Sequence, residues 1–184
     1  MDSSIQTFLE ILPEESLETL KKYILLNEKA WKPIKNVISI NVKELPNRGA
    51  SHPKNIQNIL DVLRVRLEEC TTRYFSSFGV GWEGRVQYDD VTLYIYEIGA
   101  GLGLHDDLIV GGKGVRIFST LIYLNDDFTG GDLYFPSLDK KIRPVKNMVV
   151  SFHNGIHLPH MVIPVTEGVR LTANLDYTLP SSLI

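Results

Sequence analysis

A second cysteine is missing from this 184-residue chain, so Cys70 has no intramolecular disulfide partner. A basic field is missing too. Nineteen Lys and Arg stand against 22 Asp and Glu, a formal charge of −3 with a pI near 5.9, which gives no electrostatic grip on a nucleic-acid backbone or an anionic membrane. No apolar run approaches the roughly 18 residues that a bilayer span requires. The N-terminal MDSSIQTFLEIL carries acids where a signal peptide has its basic region. Internal repeats, low-complexity tracts and linker-like composition are also absent. The expectation is a chain of the reducing cytoplasm, with membrane insertion excluded and a nucleic-acid partner disfavoured.

What is present is the composition of a folded chain, 43% hydrophobic and 22% charged. Its length suits one core rather than two. A single domain over 1–184 is expected, mostly helical over 1–80 and with a β core over 86–178. Pro13, Glu14 and Glu15 suit a helix start, with Leu17, Leu20 and Ile24 on the apolar side. A second helix is expected from Asn55 to Glu69, because Ile56, Ile59, Leu60, Leu63 and Leu67 share a stripe that Arg64, Glu68 and Glu69 avoid. Between them lie a strand over Asn36 to Val42 and a turn-rich stretch around Pro46, Asn47 and Gly49. From about Val86 the period falls to two, with Val91, Leu93 and Ile95 alternating with Thr92, Tyr94 and Tyr96. Strands over Val115 to Leu124, Asp132 to Phe135, Lys141 to Pro144, Asn147 to Phe152 and Val169 to Thr178 follow. Clusters of Gly, Pro, Asn and Asp separate them, the rhythm of a sandwich or small barrel.

The chemistry concentrates after Gly99, Gly101 and Gly103, where His105-Asp106-Asp107 forms an H-x-D triplet. In an extended segment residues two apart point the same way, so His105 and Asp107 can reach one metal ion. Alone, the triplet also reads as a histidine that caps or packs locally beside two solvated aspartates. A third ligand has to come from His52, His153, His157 or His160. His160 stands out because a turn through Pro164 and Gly168 separates it from Arg170, at the head of the last strand. Alternation on that strand puts Arg170, Thr172, Asn174 and Asp176 on one face, which either lines a cavity or faces solvent from an edge strand. Two histidines and one carboxylate are the facial set of non-haem Fe(II) oxygenases, with three metal positions open, whereas zinc favours a closed tetrahedron or one open position. Arg170 with Thr172 offers a forked, charge-assisted clamp for the far end of a dicarboxylate held at such a metal.

Five elements then stand in order: Tyr96-x-x-Gly99, His105-x-Asp107, the run Thr120 to Asn125, Gly130-Gly131-Asp132-Leu133, and His160-x-x-x-Pro164-Val165-x-x-Gly168-x-Arg170. Together they resemble the 2-oxoglutarate- and Fe(II)-dependent oxygenase superfamily, and within it the prolyl 4-hydroxylase-like branch. The resemblance covers about residues 86–178. It implies an α+β, mainly β fold: a double-stranded β-helix of the jelly-roll, cupin-like type, with N-terminal helices packed on the sheet and the metal inside its open end. It implies Fe(2+), the cosubstrate 2-oxoglutarate and O2, with ascorbate as an optional accessory. The implied reaction hydroxylates a C–H bond of a prolyl peptide or a small amino-acid-like substrate, with succinate and CO2 as co-products.

By the same resemblance His105, Asp107 and His160 hold the iron, and Arg170 receives the distal carboxylate of 2-oxoglutarate. Thr172 stands beside it and Tyr123 directs its hydroxyl at the same carboxylate. Leu133 walls the pocket and Tyr96 lies near its entrance. His160 is preferred over His157 because its distance to the Pro-Val turn and to Arg170 fits the family pattern; His157 would lengthen that connection by three residues. One departure is Leu102, where the family frequently places a tyrosine three residues before the first histidine ligand. Leu108 to Gly114 is expected to form a mobile loop beside the metal. Two rivals stand: a cupin-type metalloenzyme that does not use 2-oxoglutarate, and an inactive binding domain on the same scaffold.

Overall fold

Two antiparallel sheets face each other across an apolar interior, and two helices cover the outer side of the larger one. The computed structural model describes residues 4–27, 32–34, 37–41, 53–81, 85–88, 90–111 and 114–183. The turn-rich stretch around Pro46, Asn47 and Gly49 lies outside the described residues, as does His52.

The chain opens with β1 (Ile5–Phe8), a strand that the sequence reading did not anticipate, followed by α1 (Glu14–Leu26), β2 (Lys32–Ile34), β3 (Val37–Asn41) and α2 (Lys54–Ser76). β4 (Gln87–Tyr88), β5 (Thr92–Tyr96), β6 (Leu102–His105), β7 (Val110–Gly111) and β8 (Gly114–Tyr123) come next. β9 (Thr129–Gly130), β10 (Leu133–Phe135), β11 (Lys140–Ile142), β12 (Val149–His153), β13 (His160–Val162), β14 (Val165–Glu167) and β15 (Arg170–Pro180) complete the strands. The large sheet runs β1-β12-β8-β15-β5-β3-β2, with β4 on β15 and β7 on β8; the small one runs β11-β10-β13-β6. β14 and β9 form a separate pair. This is the mainly β, jelly-roll architecture with helices on one sheet.

α1 starts after Pro13, with Glu14 and Glu15 in its first turn, where backbone N–H groups favour negative charge. α2 runs seven residues past the expected end at Glu69 (76 − 69). The continuation is buried: Cys70, Thr71 and Tyr74 extend the stripe of Leu63 and Leu67. Thr71 donates its hydroxyl to the Leu67 carbonyl at 3.0 Å and meets Thr120 and Tyr177 of the sheet at 3.1 and 2.9 Å. A β-branched pair that lowers helix propensity is thus kept helical by tertiary hydrogen bonds.

Alternation divides the large sheet cleanly. Leu93, Ile95, Phe118, Ile122, Leu171, Ala173, Leu175 and Tyr177 join the helices in one cluster, while Tyr96, Leu121, Tyr123, Val150 and Phe152 face the small sheet with Leu133, Phe135 and Val162. β15 is paired on both sides, by β8 and β5, so its polar face cannot be a solvent-facing edge. Arg170, Thr172, Asn174 and Asp176 point between the sheets, where they line a cavity.

Candidate active site

The two sheets leave one end of their interior unfilled, a cavity of about 160 Å³. Its small-sheet wall is set by strand pairing. His105, last in β6, is the cross-strand partner of His160, first in β13, so both imidazoles emerge on one side with ring centroids 4.4 Å apart. Phe152 packs against the His160 ring at 4.8 Å and Phe135 at 5.5 Å, and His160 is buried.

Asp107 joins them by a different route from the expected one. β6 ends at His105, and Asp107 sits beyond it in the left-handed region, with φ 54°. A strand carried on to Asp107 would rely on simple alternation; here a turn does the work. Leu108 N–H donates to Asp106 Oδ1 at 3.1 Å, and the Asp106 carbonyl accepts from Gly155 N–H at 3.3 Å, which ties the turn to the loop before β13. A non-glycine residue in this conformation is held there by its surroundings at some cost in backbone strain. The result places Asp107 Oδ1 3.4 Å from His105 Nε2 and Oδ2 3.3 Å from His160 Nε2, and one ligand atom from each residue falls within 4.8 Å of the others.

Burial by itself pushes the Asp107 carboxyl up. The hydrogen bond to His160 and the charges of His160, His105 and Arg116 outweigh it, and the net displacement is below the ordinary value. The carboxylate is therefore ionised at neutral pH. Each imidazole turns its Nδ1 to a backbone carbonyl two residues back, Gly103 at 2.7 Å for His105 and Leu158 at 3.3 Å for His160. A carbonyl can only accept, so each Nδ1 carries its proton at this contact, and Nε2 is the nitrogen that each ring turns toward Asp107.

The large-sheet wall carries the remaining polar groups. Arg170 is opposite Tyr96 on β5, and Thr172 is opposite Tyr123 on β8. The Arg170 guanidinium lies 4.3 Å from the Tyr96 ring centre and 5.1 Å from that of Tyr123. Arg170 is 1% exposed, yet its Nε and Nη1 find no hydrogen-bond partner among the described residues, and neither does the Tyr123 hydroxyl. Burial raises the Tyr123 and Tyr96 phenols, against the opposing pull of Arg170, so both remain protonated. Leu133 and Leu102 supply apolar wall, while Arg116, Asn174 and Asp176 lie in the same cavity.

Of the residues singled out from sequence, the structure brings His105, Asp107, His160, Arg170, Thr172, Tyr96 and Leu133 to one cavity, and Tyr123 to the Arg170 end of it. His157 is exposed in the turn before β13. In the segment from Leu108 to Gly114, Val110 and Gly111 form β7 against β8, and residues 112 and 113 lie outside the described set. Arg116 was missed. β8 and β15 change register between Tyr177 and Thr178, so Ile117 is an extra residue that packs toward the helices, and Arg116 comes to the cavity side. Strict alternation would have grouped Arg116 with Phe118 and Thr120, on the helix side.

The cavity also depends on a glycine. Gly131 has φ 68°, and a Cβ on it would stand 2.8 Å from Arg170 Cδ and 2.8 Å from a ring carbon of Phe128. Gly131→Ala is expected to displace the Arg170 stem and weaken binding of an anionic ligand there by about tenfold, on the order of 1.4 kcal/mol. Titration with 2-oxoglutarate checks it; an unchanged Kd would show that Arg170 tolerates the shift.

Residues 91–177 match the family model of the 2OG-Fe(II) oxygenase superfamily. Among curated proteins, the chain is 41% identical over 69 residues to prolyl 3-hydroxylase 2 of Homo sapiens, a match spanning 35% of this chain and 10% of that protein. The match to prolyl 3-hydroxylase 3 of Homo sapiens has the same identity over 68 residues, 34% of this chain and 9% of that one. The chain thus spans about a tenth of the length of these relatives. Among solved structures, it superposes on a viral collagen prolyl hydroxylase from Paramecium Bursaria Chlorella virus-1 with TM-score 0.72 and 17% identity, covering 95% of both chains. A Trichoplax adhaerens prolyl hydroxylase, solved with a hypoxia inducible factor peptide fragment, gives 0.74 at 16% identity, covering 97% and 84%. At such identities the likeness is one of fold.

Proposed function

We propose that the chain is an Fe(II)- and 2-oxoglutarate-dependent dioxygenase of the prolyl 4-hydroxylase-like branch, a reading supported by the match of residues 91–177 to the model of the 2OG-Fe(II) oxygenase superfamily. Its substrate is a prolyl peptide or a small amino-acid-like molecule, hydroxylated at a C–H bond. One observation carries the reading. A buried guanidinium and a buried phenol, both with unpartnered polar atoms, stand in or beside the cavity that also holds two imidazoles and a carboxylate.

Both halves of the site fit the groups the family uses. Two neutral imidazole nitrogens and one carboxylate oxygen form a facial set that suits Fe(II) and leaves open positions. A buried cation with N–H groups unpartnered among the described residues is costly, and a carboxylate arriving at Arg170 removes that cost with a forked, charge-assisted pair. In this reading His105, Asp107 and His160 hold Fe(II), and Arg170 receives the distal carboxylate of 2-oxoglutarate. The protonated Tyr123 donates to the same carboxylate. Thr172 is a further hydroxyl beside it, Tyr96 stacks on the guanidinium and Leu133 keeps the cosubstrate on its apolar side.

When bound, Fe(II) and 2-oxoglutarate supply the oxidising chemistry: with O2, the cosubstrate becomes succinate and CO2 and one substrate C–H becomes C–OH. The protein's residues bind, orient and exclude water. The carbonyls of Gly103 and Leu158 hold the two imidazoles with Nε2 toward the metal. Phe135 and Phe152 keep His160 dry and fixed in rotation.

No described helix is long and apolar enough to cross a membrane. A cytoplasmic location is part of the proposal, supported by the single cysteine, whose thiol burial pushes up to about 11 and which is therefore inert.

Anaerobic addition of Fe(II) and 2-oxoglutarate should produce a metal-to-cosubstrate charge-transfer band, and admission of O2 should release succinate. A cupin-type enzyme that ignores 2-oxoglutarate would give neither, and an inactive binding domain would give the band without succinate.

A further inference from the structure

The cavity has a second charged station that the cosubstrate reading leaves unused. β15 carries its inward side chains in the order Arg170, Thr172, Asn174, Asp176, and the first two are only 1% exposed. Toward the open end, Asp176 accepts from Ser119 Oγ at 2.8 Å through Oδ1 and pairs with Arg116 Nη1 at 3.1 Å through Oδ2. Arg116 is there only because of the bulge at Ile117, a device that re-aims one side chain. Arg116 and Asp176 line the same cavity as His105, Asp107 and His160, which puts the pair beside that cluster rather than at a remote surface. Between the pair and Thr172 stands Asn174, whose Oδ1 is a buried acceptor without a partner among the described residues.

The geometry points to Arg116, Asp176 and Asn174 as a bipolar socket for the zwitterionic head of a free α-amino or α-imino acid, with the carboxylate on Arg116 and the ammonium between Asp176 and Asn174 Oδ1. The inference rests on the oxygenase reading and narrows its substrate class. Two features favour a zwitterion over an internal peptide residue. The station carries one charge of each sign, so a head with both charges can lie across it and leave no partly buried charge uncompensated. An internal residue offers only amide dipoles, which match an ion pair poorly. These are specificity residues, since they would touch the substrate head and not the atoms that react.

The test measures binding of each proteinogenic L-amino acid, and of its N-acetyl amide, to the full chain by calorimetry. It is done with Fe(II) and 2-oxoglutarate under anaerobic conditions and again without metal. At least one free amino acid is expected to bind, with its N-acetyl amide weaker by about 30-fold or more, as for truncation of a desolvated charge contact. Asp176→Asn and Asn174→Ala should each raise the Kd of the free acid by roughly tenfold, with cooperative thermal unfolding retained in at least one of the two. Equal binding of the blocked forms, a Kd that neither substitution moves, or no binding of any free amino acid would overturn the inference. The two readings fail separately. Binding of a free amino acid without succinate release on oxygenation would sink the oxygenase and spare the socket, and succinate release driven only by blocked peptides would do the reverse.

Discussion

Arg170→Leu is expected to yield a protein that unfolds at a higher temperature than the parent and no longer responds to 2-oxoglutarate. The guanidinium is 1% exposed, and its Nε and Nη1 are unpartnered among the described residues. Its compensation is the stacking on Tyr96 and Tyr123, at 4.3 and 5.1 Å. Replacing such a charge by an apolar residue is stabilising by about 1–4 kcal/mol where the site closes around it, which in a chain of this size is a rise of several degrees, about 2–4 °C per kcal/mol. Binding should move the other way. Loss of a buried, forked carboxylate contact costs about 3–5 kcal/mol, on the order of 10²–10⁴ in Kd. The parent should gain about 2.7 kcal/mol at a cosubstrate concentration of 100 times its Kd, and the variant about 0.4 kcal/mol or less. Arg170→Lys keeps the charge and loses the fork, so it should fall between the two. A thermal-shift series over 2-oxoglutarate concentration reads all three proteins at once. A variant that is less stable without ligand, yet still shifts with it, would show that Arg170 serves the fold rather than the cosubstrate.

Side-chain period made the large sheet legible. The alternation Val91, Leu93, Ile95 against Thr92, Tyr94, Tyr96 marked β5 with its two faces, and that of β15 sorted Arg170 and Thr172 from Leu171 and Ala173. Whether that polar face met solvent or a cavity depended on strand order. Order is set by long-range pairing with β8 and β5, which local sequence does not encode. β1 was invisible for the same reason, since four residues hold too little period and Ile5 and Phe8 are buried only by docking on β12. α2 ran past Glu69 because hydroxyl contacts from Thr71 to the sheet offset a weak local propensity. The candidate residues that share one cavity were legible in the sequence, but how they come together was not. His105 and Asp107 meet through a left-handed turn rather than through strand alternation, and one bulged residue, Ile117, decides that Arg116 belongs to the cavity. Bulges and positive-φ residues break the period on which sequence reading depends, and both stand beside the cluster of His105, Asp107 and His160.

His160→Ala should abolish Fe(II) binding at micromolar metal, while His157→Ala should leave the Kd within about twofold of the parent. Sequence spacing alone could favour either histidine, since they lie three residues apart in one histidine-rich stretch. Strand pairing separates them. His160 opens β13 directly across from His105, is 3% exposed, and has Nε2 3.3 Å from Asp107 Oδ2. His157 stands in the preceding turn, exposed, with its carbonyl accepting from Ser137 Oγ. Removing one of three ligands leaves a two-donor site; loss even of an outer-sphere partner costs about 10–100-fold in metal affinity, so loss of a ligand should exceed about 100-fold. A second consequence separates this outcome from simple damage to the core. Without His160, Asp107 loses the strongest of the interactions that lower its carboxyl, so burial gains weight and the Asp107 pKa should rise. In the metal-free parent, stability from a depressed carboxyl is present above its unfolded pKa and fades as pH falls through the lower folded value. The parent should therefore hold this advantage over His160→Ala in full at pH 7 and lose it as pH falls through the carboxyl range. Thermal melts from pH 7 to pH 3 without metal, beside calorimetric Fe(II) titrations at pH 7, read both effects. A His157→Ala protein that lost iron while His160→Ala retained it would move the third ligand to the turn, and with it the register between metal and Arg170.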